Sequence, residues 1–221
     1  MRPTFRGIFH LLARVKVNGK EHIPAKGAYL VAMNHVSIYD PPFLAAFWPT
    51  TPEVIGAAEI WAKPGQATVV RMYGGIQVHR GQYDRQLIET MLAALQAGRP
   101  LVIAPEGGRS HFPGMRRARP GIAYLVERTG LPVIPVGVVG TTDDFFSRAI
   151  HGERPLLEMN VGQPIHFGAD QLVDGEPAHP AAMRAMRQQN TDFIMYRIAD
   201  LLPDEYRGVY AQPINDRETS Q

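Results

Sequence analysis

The chain runs to 221 residues with 45% apolar and 20% charged side chains, a balance that fits one large globular domain and excludes both a disordered chain and a membrane bundle. It contains no cysteine, which excludes disulfides, thiolate metal centres, iron–sulfur clusters and cysteine nucleophiles together. The net charge of +2 conceals a division: residues 1–130 carry 16 Lys and Arg against 8 Asp and Glu, residues 131–221 carry 7 against 13, and 19 of the 23 cations are Arg. The guanidinium fork suits phosphate and carboxylate, so the front part is dressed for an anion: nucleic acid, a phosphorylated metabolite or an anionic lipid surface. A GC-rich coding sequence is the plainer source of the same excess.

Residues 1–15 predict an amphipathic N-terminal helix, in which Phe5, Ile8, Phe9, Leu11, Leu12 and Val15 oppose Arg2, Arg6, His10 and Arg14 at four-residue steps. Such a face fits either an anionic membrane interface or the body of the domain itself. No small-residue cleavage site follows a clean apolar core, and no run nears the roughly 18 apolar residues of a spanning helix, so a cytosolic chain is expected.

Residues 16–221 read as a single domain of alternating strands and helices. Tyr29 to Met33 predicts a buried strand, followed by the polar stretch 34–40 and a helix opened by Pro41 and Pro42. Residues 53–58 read as the next strand, 59–73 as a helix broken at Pro64–Gly65, and 74–79 as a strand. A helix capped by Asp84 runs to Ala97 and stops at Gly98. Leu101–Ala104 is a further strand, 119–129 a helix stopped by Gly130, and 131–139 a strand. Leu156–Val161 predicts the last strand, 168–180 a loop, and about 180–202 a C-terminal helix. This rhythm predicts an α/β fold, a mostly parallel sheet with helices on both faces.

In such sheets functional side chains gather at the carboxyl ends of the strands, where three polar clusters fall. The first is Asn34-His35-Val36-Ser37-Ile38-Tyr39-Asp40. His35 in the turn and Asp40 in the first helical turn would make a base whose tautomer the carboxylate fixes; a capping Asp beside a satisfied polar His is the plainer reading. The second cluster spans residues 104–114, where Glu106, Gly107, Gly108, Arg109 and Ser110 form a tight turn able to hold phosphate oxygens. Alone, it could equally be a Gly-rich turn with a surface Arg. It is neither a nucleotide-binding P-loop nor a nucleophile elbow. Third, Arg80 ends the strand at 74–79, and Arg116, Arg117 and Arg119 follow the Gly-rich turn. These cations would repel one another at a common mouth unless an anion sat between them.

Together the clusters resemble the glycerolipid acyltransferase family of the lysophosphatidic acid type, over roughly residues 15 to 205. Asn34, His35 and Asp40 match its N-H-x-x-x-x-D block. Gly74 to Arg80 match its second block, Pro105, Glu106, Gly107, Arg109 and Ser110 its third, and Leu131 to Val136 its fourth. In the third block Ala104 and Gly108 replace the family's Phe and Thr, and the loss of the Thr hydroxyl touches acceptor identity more than the fold. The resemblance implies that His35 is the base and Asp40 its support, and that Arg80 with residues 106–110 receives the acceptor phosphate. From their clustering, Arg116, Arg117 and Arg119 are candidates for further anion contacts. It also implies transfer from acyl-CoA or acyl-carrier protein, as substrate rather than bound cofactor, to 1-acyl-glycerol-3-phosphate, making phosphatidic acid. No acyl-enzyme and no metal are expected, and the sequence does not identify the oxyanion donor, for which a backbone N–H near Gly107 is one candidate. Lipid chemistry implies peripheral contact with the cytoplasmic side of the cell membrane. Another lysolipid, a glycolipid or an amino-acid lipid is the alternative acceptor, and a non-catalytic anionic-lipid-binding protein ranks lower. Nucleic-acid binding would rest on the Arg excess alone and is set aside.

Overall fold

The computed structural model describes residues 2–62, 67, 75–78, 85–168 and 180–211. Seven strands form one sheet: β1 (Arg14–Asn18), β2 (Leu30–Met33), β3 (Glu53–Ala57), β4 (Ile76–Val78), β5 (Leu101–Ile103), β6 (Val133–Val139) and β7 (Leu156–Val161), in the spatial order β1-β7-β6-β2-β5-β3-β4. The pairs from β6 across to β4 are parallel, whereas β7 runs antiparallel to β6 and carries β1 parallel to itself. The sheet is therefore mostly parallel, with a reversed pair at one edge.

Its central strand is apolar on both sides because both sides are covered. All four residues of β2 are buried. Leu30 and Ala32 face a core built with α3 (Arg85–Gln96), α4 (Gly121–Thr129) and α6 (Pro180–Ala199). Val31 and Met33 face a second core with α1 (Arg2–Leu12), α2 (Asp40–Phe47) and α5 (Phe145–Ile150). A last short helix, α7 (Asp204–Arg207), places Tyr206 against the first core. Both caps read in the sequence as helix stops, Gly98 and Gly130, lie at positive φ.

Several elements differ from the sequence reading. The N-terminal helix ends at Leu12 rather than continuing to residue 15, and Arg14–Asn18 pair with β7 in register from Arg14↔Leu156 to Asn18↔Asn160. Val15 falls four residues after Leu11 and so extends the helical pattern, but Arg-Val-Lys-Val also alternates with period two and is β-branched, and the free edge of β7 decides between them. The helix expected over 119–129 begins at Gly121, because the Arg119 N–H donates to the Pro105 carbonyl at 2.9 Å and holds that residue outside the helix. The C-terminal helix stops at Ala199, and α5 was not foreseen. The Asp84 cap, most of the broken helix at 59–73 and residues 169–179 lie outside the described residues.

Candidate active site

The carboxyl ends of β2, β5 and β6 meet at one place, and the first two sequence clusters come together there. Asn34 fixes the approach. Its buried side-chain amide donates to the Val138 carbonyl at 2.9 Å and its oxygen accepts the Val138 N–H at 2.7 Å, so it continues the β2–β6 ladder past the last backbone pair.

His35 follows in the turn, with its side chain 15% exposed. Its Nδ1 lies 2.8 Å from Asp40 Oδ2. Asp40 is wholly buried as the first residue of α2, just ahead of Pro41 and Pro42, where the helix terminus favours a negative charge. The Val36 and Ser37 N–H groups also donate to Oδ2, at 2.7 and 2.8 Å, and the buried Thr141 hydroxyl donates to Oδ1. The His35 ring is one of four donors to this carboxylate, which fixes the tautomer: Nδ1 carries the proton, and Nε2, which meets no hydrogen-bond partner among the described residues, presents its lone pair. Asp40 is thus both the support for His35 and the tie that closes the 36–40 turn, which joins the two readings the sequence left apart.

Glu106 has a structural part. It is buried, with Oε1 accepting the His35 N–H at 2.9 Å and Oε2 accepting the Arg116 N–H at 2.8 Å. Burial pushes its carboxyl above the usual range, and the two backbone donors only partly offset that. Glu106 therefore pins the loop after β5 to the backbone of the base. Ser110 works the same way: its N–H donates to the His35 carbonyl at 2.8 Å, and its hydroxyl donates to the Phe112 carbonyl at 2.6 Å. The hydroxyl hydrogen is committed inside the loop and not offered to an acceptor.

The turn between them is suited to an anion. Gly107 sits at φ 69°, and the Arg119 side chain lies 3.3 Å from where its Cβ would stand. The N–H of Gly107 itself is taken by the Ala104 carbonyl at 3.0 Å. The next two N–H groups, of Gly108 and Arg109, have no partner among the described residues. Arg109 is half-buried, and its guanidinium makes no ion pair or hydrogen bond among the described residues, a state that a bound anion would relieve. Arg116 reaches back over the loop, donating to the Gly108 carbonyl at 2.9 Å while its side chain stays about half exposed. Arg117 and Arg119 are exposed. Arg80 lies outside the described residues.

Thr141, Asn34 as a cross-strand tie, and the His111–Asp143 pair at 2.8 Å were not assigned roles from the sequence. The Gly-Thr-Thr stretch directly after β6 was available to the same strand-end rule that found His35.

The family model for acyltransferases matches residues 14–139. The lyso-ornithine lipid O-acyltransferase of Pseudomonas aeruginosa is 30% identical over 168 residues, covering 68% of this chain and 63% of that protein. The 1-acyl-sn-glycerol-3-phosphate acyltransferase of Borreliella burgdorferi is 23% identical over 163 residues, covering 73% of this chain and 62% of that one. The chain thus aligns with less than two thirds of the length of each. In fold it is similar to the lysophosphatidic acid acyltransferase PlsC from Thermotoga maritima, with a TM-score of 0.60 at 21% identity over 87% of this chain and 76% of the other.

Proposed function

The chain belongs to the acyltransferase family, and on that premise we propose that it moves an acyl group from an acyl-CoA or acyl-carrier-protein thioester to the free hydroxyl of 1-acyl-glycerol-3-phosphate. The observation that carries this reading is the His35–Asp40 pair at 2.8 Å, with Nε2 unpaired. His35 Nε2 takes the hydroxyl proton as the oxygen attacks the thioester carbonyl. The imidazolium, stabilised by Asp40, then returns the proton to the departing sulfur as the C–S bond breaks. The carbonyl oxygen, negative in between, finds the free N–H groups of Gly108 and Arg109. The unpaired Arg109 guanidinium receives the acceptor phosphate, with Arg80 as its partner by resemblance. No serine or cysteine nucleophile is needed.

An amino-acid lysolipid acceptor is the second reading. Two observations favour it: the 30% identity to the P. aeruginosa enzyme, and Gly108, which lacks the hydroxyl that the third block otherwise supplies.

The lipid substrate is met at the cytoplasmic membrane surface. Among the described residues no helix is long and apolar enough to cross a bilayer. On α1, Phe9 packs on Phe43, Phe47 and Phe145, while Ile8 and Leu11 are exposed. Phe146 and Ile150 of the neighbouring α5 are exposed as well. α1 carries Arg2, Arg6 and His10 and no acid, a combination suited to an anionic interface.

The test is purified protein with acyl-CoA or acyl-carrier protein, a thiol-trapping dye, and lysophosphatidic acid beside unphosphorylated and amino-acid lysolipids. Thiol release that depends on lysophosphatidic acid supports the first reading. Release only with an amino-acid lysolipid supports the second, and no release with any acceptor refutes both.

A further inference from the structure

We propose that Thr141 is a positioning residue for the base: from the loop after β6 it holds the carboxylate that holds His35. The inference rests on the acyl-transfer reading only in its kinetic part.

Asp40 Oδ2 is shared by three donors, the His35 ring and two backbone N–H groups of its own loop. The described donors leave Oδ1 one partner, the Thr141 hydroxyl. Both residues are buried, Asp40 at 0% and Thr141 at 1% exposed, so no bulk water stands ready to replace the hydroxyl. A buried carboxylate oxygen deprived of its donor is costly, and the side chain could relieve it by rotating. Rotation would carry Oδ2 away from Nδ1.

The backbone around Thr141 is built to deliver that hydroxyl. Gly140 sits at φ 88°, and a Cβ there would stand 2.0 Å from the Leu156 carbonyl oxygen, so only glycine allows the sharp turn out of β6. The Gly140 N–H donates to the Tyr206 hydroxyl at 3.0 Å, which fixes the turn from the C-terminal side of the chain. Two residues before Gly140, Asn34 grips both backbone groups of Val138. The loop after β2 and the loop after β6 are therefore registered on either side of the Asp40–Thr141 contact.

Valine in place of Thr141 removes this one donor and no charge: Asp40, Glu106 on the His35 N–H and Arg116 beside Glu106 are all retained.

The test compares Thr141→Val, which keeps shape and removes the donor, with Thr141→Ser, which keeps the donor. In the valine variant kcat is expected to fall about tenfold, with KM for both substrates within about twofold. The serine variant is expected within about threefold of the parent. A second measurement needs no turnover: NMR of isotope-labelled histidine should show the His35 Nδ1–H signal of the parent weakened or lost in the valine variant, as Oδ2 rotates away from Nδ1. Absent turnover in the parent would count against the acyl-transfer reading, while the Nδ1–H signal still judges Thr141. An unchanged Nδ1–H signal in folded Thr141→Val overturns the proposal. If the valine variant does not fold, the serine variant decides: turnover and an Nδ1–H signal near the parent's support the hydroxyl, and a loss above about tenfold assigns Thr141 to packing by its methyl group.

Discussion

Replacing Asp40 by Asn separates the charge of the dyad from its geometry. Three donors converge on Oδ2 and one hydroxyl on Oδ1. An amide fits this set in one orientation: its oxygen keeps the Oδ2 place and still accepts from Val36, Ser37 and His35. Its NH2 then faces Thr141, whose hydroxyl can turn to accept. The opposite orientation sets an NH2 against two backbone N–H groups and is disfavoured. Asp40→Asn should thus preserve the fold and the His35 tautomer and remove only the charge that steadies the imidazolium. Opposite charges centred about 4 Å apart attract by roughly 4 kcal/mol at an effective dielectric of about 20, an upper limit. At about 1.4 kcal/mol per tenfold, kcat should fall by about 10² and by no more than roughly 10³. Stopped-flow thiol release gives kcat, and circular dichroism with a thermal melt checks the fold. Turnover within about threefold of the parent would show that the charge of Asp40 does not support the base. A loss equal to that of His35→Ala, expected to be about 10²–10⁴, together with a changed histidine tautomer by NMR, would show that the amide flips and that the donor argument is wrong.

Arg109→Ala should lower kcat/KM for a phosphorylated acceptor by about 10- to 150-fold, with partial recovery in Arg109→Lys; an unchanged preference for phosphate over its unphosphorylated counterpart would move the phosphate elsewhere. Glu106 has a carboxyl raised by burial, so its contribution to stability is full below its ordinary pKa and is lost as pH rises through the raised value. Thermal melts of Glu106→Gln and parent should therefore converge, or cross in favour of the variant, as pH rises above the ordinary carboxylate range, and parallel pH curves would contradict this. Ile8→Ser with Leu11→Ser on α1, or Phe146→Ser with Ile150→Ser on α5, should reduce co-sedimentation with anionic vesicles while sparing turnover of a water-soluble short-chain acceptor; equal sedimentation would place lipid contact elsewhere.

Local pattern was enough for the parts of this protein whose signal is local. Buried parallel strands read as apolar runs because both faces of the sheet are covered, and β2, β5 and β6 stood out for that reason. Gly98 and Gly130 marked helix ends because positive φ is a property of one residue and its neighbours. His35 and Asp40 were legible as a pair because both lie in one seven-residue turn at a strand end. Other features depend on what a segment meets. Arg14–Asn18 fits helix and strand alike, and the open edge of β7 chose strand. The N-terminal helix fitted membrane and domain alike; packing put Phe9 inside and left Ile8 and Leu11 outside. Glu106, Arg109 and Arg116 share one basic and acidic stretch in the sequence, yet burial made Glu106 a tie to the His35 backbone, while Arg116 bonds the Gly108 carbonyl and Arg109 meets no partner among the described residues. Thr141 lies 101 residues from Asp40 in the chain. Its part in the site exists only because β6 lies beside β2 in the sheet, a pairing decided by the summed packing of two cores and by no residue at either end.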